Sequence, residues 1–185
     1  MSALIKSIGM IEFNSIAQGI QVSDYILKAA ETELIFAKPV CPGKFIVLIS
    51  GDVGAVKTAI TIGVEIGKHF VVDSFVIPNI HAQLIFAINA TMELADVNAL
   101  GVMEFFSISA AVIAADQAAK SADVQLMDVR LGIGVGGKSF VILSGDVSAV
   151  HSAVKAGLAD ASEKGNVVSS CVIPSPSKEL FFGLL

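Results

Sequence analysis

The strongest constraint on this chain is that it repeats itself. Gly9-Met-Ile-Glu12-Phe13 returns as Gly101-Val-Met-Glu104-Phe105, an offset of 92 (104 − 12). Asp24-Tyr-Ile-Leu-Lys28 returns at the same offset as Asp116-Gln-Ala-Ala-Lys120. Gly43-Lys44 and Ser50-Gly51-Asp52-Val53 come back as Gly137-Lys138 and Ser144-Gly145-Asp146-Val147, now 94 positions on, and Val76-Ile77-Pro78 as Val172-Ile173-Pro174, 96 on. The order never changes and the offset grows by two residues at a time. That is a tandem duplication with small loop insertions. Whatever the first copy folds into, the second must fold into as well, so the 185 residues divide into two domains, 1–92 and 97–185, with the boundary near 91–98.

Each copy reads as strand, helix, strand, strand, helix, strand and a last short helix. In copy one the strands are expected at 8–13, 33–38, 44–50 and 71–77, the last stopped by Pro78. Ser15 is a plausible N-cap for the first helix, whose Ile16, Ile20, Ile26 and Leu27 approximate a helical stripe. Ser50-Gly51-Asp52 caps the second, where Val53, Val56, Ile60 and Val64 share one face. Copy two repeats the plan at 100–105, 107–121, 124–131, 139–144, 146–161 and 167–173. A β-α-β-β-α-β order predicts an α+β, ferredoxin-like domain with helices packed on one face of an antiparallel sheet.

The residues are 54% hydrophobic against 16% charged, so a membrane protein and a subunit with large buried interfaces compete. A spanning helix needs about 18 unbroken apolar residues. The best stretch, 99–119, is interrupted by Glu104 and Asp116. The start of the chain lacks signal-peptide order. We therefore expect a cytoplasmic protein whose surplus apolar surface lies between subunits. A net charge of −5 without a basic run disfavours nucleic acid.

One segment carries unusual chemistry: Lys38-Pro39-Val40-Cys41-Pro42-Gly43-Lys44, between two strands. Two prolines stiffen a loop around one thiol. Flanking lysines favour the thiolate that binds metal. A lone Cys ordinarily packs rather than ligates, and both readings of Cys41 stand at this point. The corresponding loop of copy two, Gly132-Ile-Gly134-Val-Gly136-Gly137, matches the letters of a dinucleotide fingerprint. A strand rather than a helix follows it, so no phosphate site forms there. Its glycines indicate a close-packed turn, suited to backbone approach around an axis. Cys171, inside an apolar strand and equivalent to Phe75, reads as an inert buried thiol, and a disulfide is not expected. His69, His81 and His151 have no ligand spacing. Glu12 and Glu104 recur together and report strand architecture rather than an acid–base pair.

Gly-x-x-Glu, Asp-x-x-x-Lys, Gly-Lys, Ser-Gly-Asp-Val and Val-Ile-Pro, twice and in unpermuted order, resemble the tandem-domain shell proteins of bacterial microcompartments. The Cys41 loop narrows the resemblance to the iron–sulfur type of the propanediol-utilisation shell. The resemblance implies a flat, pseudo-hexameric homotrimer that tiles with other shell proteins. It implies one [4Fe–4S] cluster per trimer, held on the threefold axis by Cys41 of each chain. Pro39, Val40, Pro42, Gly43, Lys44 and Gly132, Gly134, Gly136, Gly137 then form the axial loops. Lys28 and Lys120 match the family's tile-edge lysines. The Arg of the family's Pro-Arg-Pro-His motif is absent from both Pro78-Asn-Ile-His81 and Pro174-Ser-Pro-Ser177.

The expected function is thus a structural, non-enzymatic shell subunit that passes electrons across the wall, exchanging them with a redox enzyme of the lumen. The alternative is a purely structural or pore-forming tile for small metabolites, without a cluster.

Overall fold

The computed structural model describes residues 6–91 and 98–183. Of the boundary expected at 91–98, residues 92–97 lie outside the described residues. Two compact units divide between Ala82 and Gln83.

The first unit runs β1 (Ser7–Phe13), α1 (Ile16–Ala29), β2 (Thr32–Val40), β3 (Lys44–Gly51), α2 (Val53–Gly67) and β4 (Val71–Pro78). All its strand pairs are antiparallel, in the order β2-β3-β1-β4. The second opens with α3 (Gln83–Ile88) and continues with β5 (Ala99–Phe105), α4 (Ile108–Ser121), β6 (Val124–Leu131), β7 (Ser139–Gly145), α5 (Val147–Glu163), β8 (Val167–Pro174) and α6 (Lys178–Gly183). Its sheet order is β6-β7-β5-β8, again antiparallel. Each unit is a βαββαβ domain of α+β type, and even the register shifts coincide. They fall between Glu12 and Phe13 in one copy and Glu104 and Phe105 in the other, and between Leu34 and Phe36 and Leu126 and Asp128.

Local chemistry explains the elements. Ser15 Oγ accepts from the Gln18 N–H at 3.4 Å, and Ser107 Oγ from the Ala110 N–H at 3.3 Å, so each first helix starts on a serine cap. Asp52 occupies the next N-cap position, but its carboxylate pairs with Lys6 at 2.8 Å rather than with the helix. The glycine of each Gly-x-x-Glu run lets a helix sit close on the central strand. A Cβ on Gly9 would fall 2.5 Å from Ile60, and one on Gly101 2.8 Å from both Leu143 and Val154. The first core gathers Ile11, Phe13, Val22, Ile26, Phe45 and Ile60 between α1, α2 and the sheet.

Two expectations change. Ile16 and Ile20 do not join the core stripe of α1, which buries Gly19, Val22, Ser23 and Ile26 instead. Cys171 is exposed, not buried. It lies on β8, one of the two edge strands of its sheet, on a stretch whose Ser169 and Ser170 are exposed as well. Among the described residues no helix is long and apolar enough to cross a membrane.

Candidate functional site

The two hairpin tips hold the residues singled out for function. In the first unit the β2–β3 register closes at Val40 opposite Lys44. Cys41, Pro42 and Gly43 turn the chain, with the Gly43 N–H donating to the Val40 carbonyl at 3.0 Å and a cis peptide between Cys41 and Pro42. Gly43 has φ +86° with open space around it, so it is the backbone conformation that asks for glycine. Cys41 is half-buried, and its thiol is free. Pro39 is exposed and Val40 buried beneath the tip.

In the second unit the register closes at Leu131 opposite Ser139. The Gly132 N–H donates to the Lys138 carbonyl at 3.1 Å and the Lys138 N–H to the Val135 carbonyl at 3.2 Å. Gly132, Gly134, Gly136 and Gly137 all have φ between 65° and 84°. The expectation of a close-packed turn gives way here. A Cβ on Gly134 or Gly136 meets nothing within 4 Å, so left-handed backbone, not crowding within the chain, explains these two. Val40 aligns with Gly132 (offset 92) and Gly43 with Gly137 (offset 94), so the two-residue insertion lies in the tip itself.

The lysines beside Cys41 are not both available to an anion. Lys44 Nζ donates to Glu12 Oε1 at 2.7 Å, and the Glu12 side chain is only 4% exposed. Lys138 and Glu104 repeat the pair at 3.1 Å around a more open carboxylate, 35% exposed. The sequence reading treated Glu12 and Lys44 separately. Joint retention of both partners in both copies was the signal that they form one unit. Lys38 Nζ lies 4.2 Å over the Phe36 ring, and burial lowers its pKa from the usual lysine value. Its counterpart Arg130 stacks 5.6 Å over Phe140 and pairs with Asp128 at 2.7 Å.

Asp-x-x-x-Lys is an i,i+4 ion pair in both copies: Lys28 with Asp24 at 2.6 Å on an open face, Lys120 with the buried Asp116 at 2.5 Å. His69 and His151 are exposed and His81 half-buried. Among the described residues no three His, Cys, Asp or Glu of one chain converge as metal ligands.

The BMC domain model matches residues 7–80 and again residues 99–176. The chain belongs to the BMC-domain family. It is 40% identical over 176 residues to the bacterial microcompartment shell protein PduT of Citrobacter freundii, covering 95% of this chain and 96% of that one. The shell protein PduA of Salmonella typhimurium is 41% identical over 83 residues, 44% of this chain and 85% of that shorter one. Among solved structures, a microcompartment protein from Desulfitobacterium hafniense superposes with a TM-score of 0.91 at 51% identity, covering 96% of this chain and 99% of that one. This BMC protein is therefore a structural shell subunit of a bacterial microcompartment, made of two BMC domains in tandem.

Proposed function

We propose that three chains close into a ring of six BMC domains, set in the compartment wall among other shell proteins, and that Cys41 of each chain holds one [4Fe–4S] cluster on the common axis. The observation that carries this reading is the difference between the tips. One copy presents a free, half-buried thiol, the other a loop of glycines without sulfur. A cyclic trimer then alternates the two and supplies three thiolates. Thiolate is the donor that iron–sulfur clusters use, ordinarily four to a cubane. Three from the ring leave one iron to a non-cysteine ligand. No single chain gathers such a set among its described residues, so the thiols of other chains are required.

When bound, the cluster supplies one-electron transfer across the wall, with a redox enzyme of the lumen as the partner. The chain's own residues hold the thiol in a stiff hairpin, with the Lys44–Glu12 pair bracing the strand beneath it. Lys38, with its ammonium over Phe36, is then the cation left nearest the tip to offset the cluster's negative charge. Lys28 and Lys120, each tethered by an aspartate one turn back, serve as contacts between neighbouring tiles.

The test is anaerobic purification followed by native mass, iron and sulfide analysis and electron spin resonance. We expect a trimer with about four irons per assembly. Cys41→Ser abolishes iron binding and leaves the trimer intact. An iron-free trimer in which Cys41 and Cys171 of every chain titrate as free thiols overturns the cluster and leaves a wall or pore component.

A further inference from the structure

In each unit the hairpin tip and the end of the middle strand lie at the same end of the sheet. Phe13, which closes β1, pairs with Phe45 at the base of the first tip, and Phe105, which closes β5, pairs with Ser139 at the base of the second. The next residue along is held alike in both copies. The Asn14 N–H donates to the Phe70 carbonyl at 2.9 Å, and the Phe106 N–H to the Asn166 carbonyl at 2.9 Å. The backbone is repeated, but the side chains have traded places. In the first unit the phenyl ring is that of Phe70, packed against the core, and the exposed position is an amide, Asn14. In the second the amide is the half-buried Asn166, and the outward position is a phenyl ring, Phe106, 60% exposed.

A second large apolar side chain stands at this end of the second unit. Ile133 occupies the place of Cys41 (133 − 92), between Gly132 and Gly134, and is 46% exposed. Residues 132–137 carry no charge, and the ammonium of Lys138 behind them is paired with Glu104. Where one copy offers a thiol beside an amide, the other offers an isoleucine beside a phenyl ring, both left in water by their own chain.

We propose that Ile133 and Phe106 of the three chains form an apolar collar around the axial site, keeping water from the cluster that Cys41 holds. This rests on the ring and the cluster proposed above. Such a ring alternates the two tips, so every Cys41 has a glycine tip with its Ile133 on either side. An apolar shell controls solvent access and local dielectric, and through them the retention and the potential of a metal centre. Reduction adds negative charge, which dry surroundings disfavour. The collar therefore lowers the cluster's potential and slows the escape of its iron.

The test compares Ile133→Ser and Phe106→Asn, the latter importing the first copy's own residue, with the wild-type trimer. Both positions are exposed in the chain, so both variants keep the wild-type circular dichroism spectrum and the native mass of the trimer. Under anaerobic conditions each releases iron to a ferrous chelator about tenfold faster than wild type, and each shows a higher midpoint potential in a spectroscopic redox titration. After iron removal, in a Cys171→Ser background, Cys41 of each variant reacts faster with a thiol reagent. Val147→Ser, at an apolar position 39% exposed beyond the opposite end of β7, changes none of these. Wild-type release, potential and labelling in either variant overturn the collar while the cluster stands. A variant that dissociates also overturns it, because its side chain then serves contacts between chains rather than the axis. A wild-type trimer that binds no iron overturns cluster and collar together.

Discussion

Between Val40 and Gly43 the first unit turns through Cys41 and Pro42; between Gly132 and Gly137 the second turns through four residues, 133–136. The strands beneath are the same, and so is the Lys–Glu pair that ties the second strand of the hairpin to the sheet's middle strand. Only the tip differs, and it differs in kind. One tip presents a side chain with donor chemistry, while four glycines in left-handed backbone make the other. Duplication thus separates two demands that a single domain must meet at one point. One copy keeps a reactive group, and the other turns the corner without a second sulfur. Each chain contributes one thiol at a hairpin tip, and the proposed trimer has three there.

Four experiments press on that contrast. The largest effect is on metal: Cys41→Ser is expected to remove all bound iron and sulfide, whereas Cys171→Ser, at an exposed β8 position, leaves the content unchanged. Elemental analysis of both proteins reads this directly. Next comes the brace under the tips. Lys44→Met strands the buried Glu12 carboxylate and is expected to cost about 3 kcal/mol, while Lys138→Met, beside the more open Glu104, costs under about 1 kcal/mol. Denaturant midpoints at one protein concentration distinguish them, and equal losses erase the asymmetry. Gly43→Ala, at φ +86°, is expected to cost about 1 kcal/mol by the same measurement. The smallest effect is Asp24→Asn, which breaks an exposed i,i+4 pair and lowers the thermal midpoint by the equivalent of about 0.3 kcal/mol.

The repeated motifs made the strand order, the Ser15 cap and the equivalence of the two tips legible from residues alone. What they could not convey was which apolar side chains face a core. Ile16 and Ile20 fit a helical stripe on α1, yet both point outward, and their counterparts Ile108 and Val112 are buried. Hydrophobic spacing marks a surface that avoids water; it does not say whether a protomer or an assembly hides it. Cys171 failed for a related reason. An apolar strand reads as interior, but β8 is an edge with an uncovered stretch. The Glu12–Lys44 pair spans 32 positions (44 − 12), beyond the reach of any local pattern. Pairing the motifs that recur together is what reveals it.

The position of α3 also bears on how fast such a ring is built. Helix α3 packs along β6 of its own chain, and a helix so tethered meets its target at millimolar effective concentration, so that contact forms as soon as the chain is made, whatever the expression level. In the trimeric ring proposed above, only contacts between chains wait for a collision between separate molecules. Fusing two domains then cuts the encounters that gather six domains from five (6 − 1) to two (3 − 1), and only those two are sensitive to dilution.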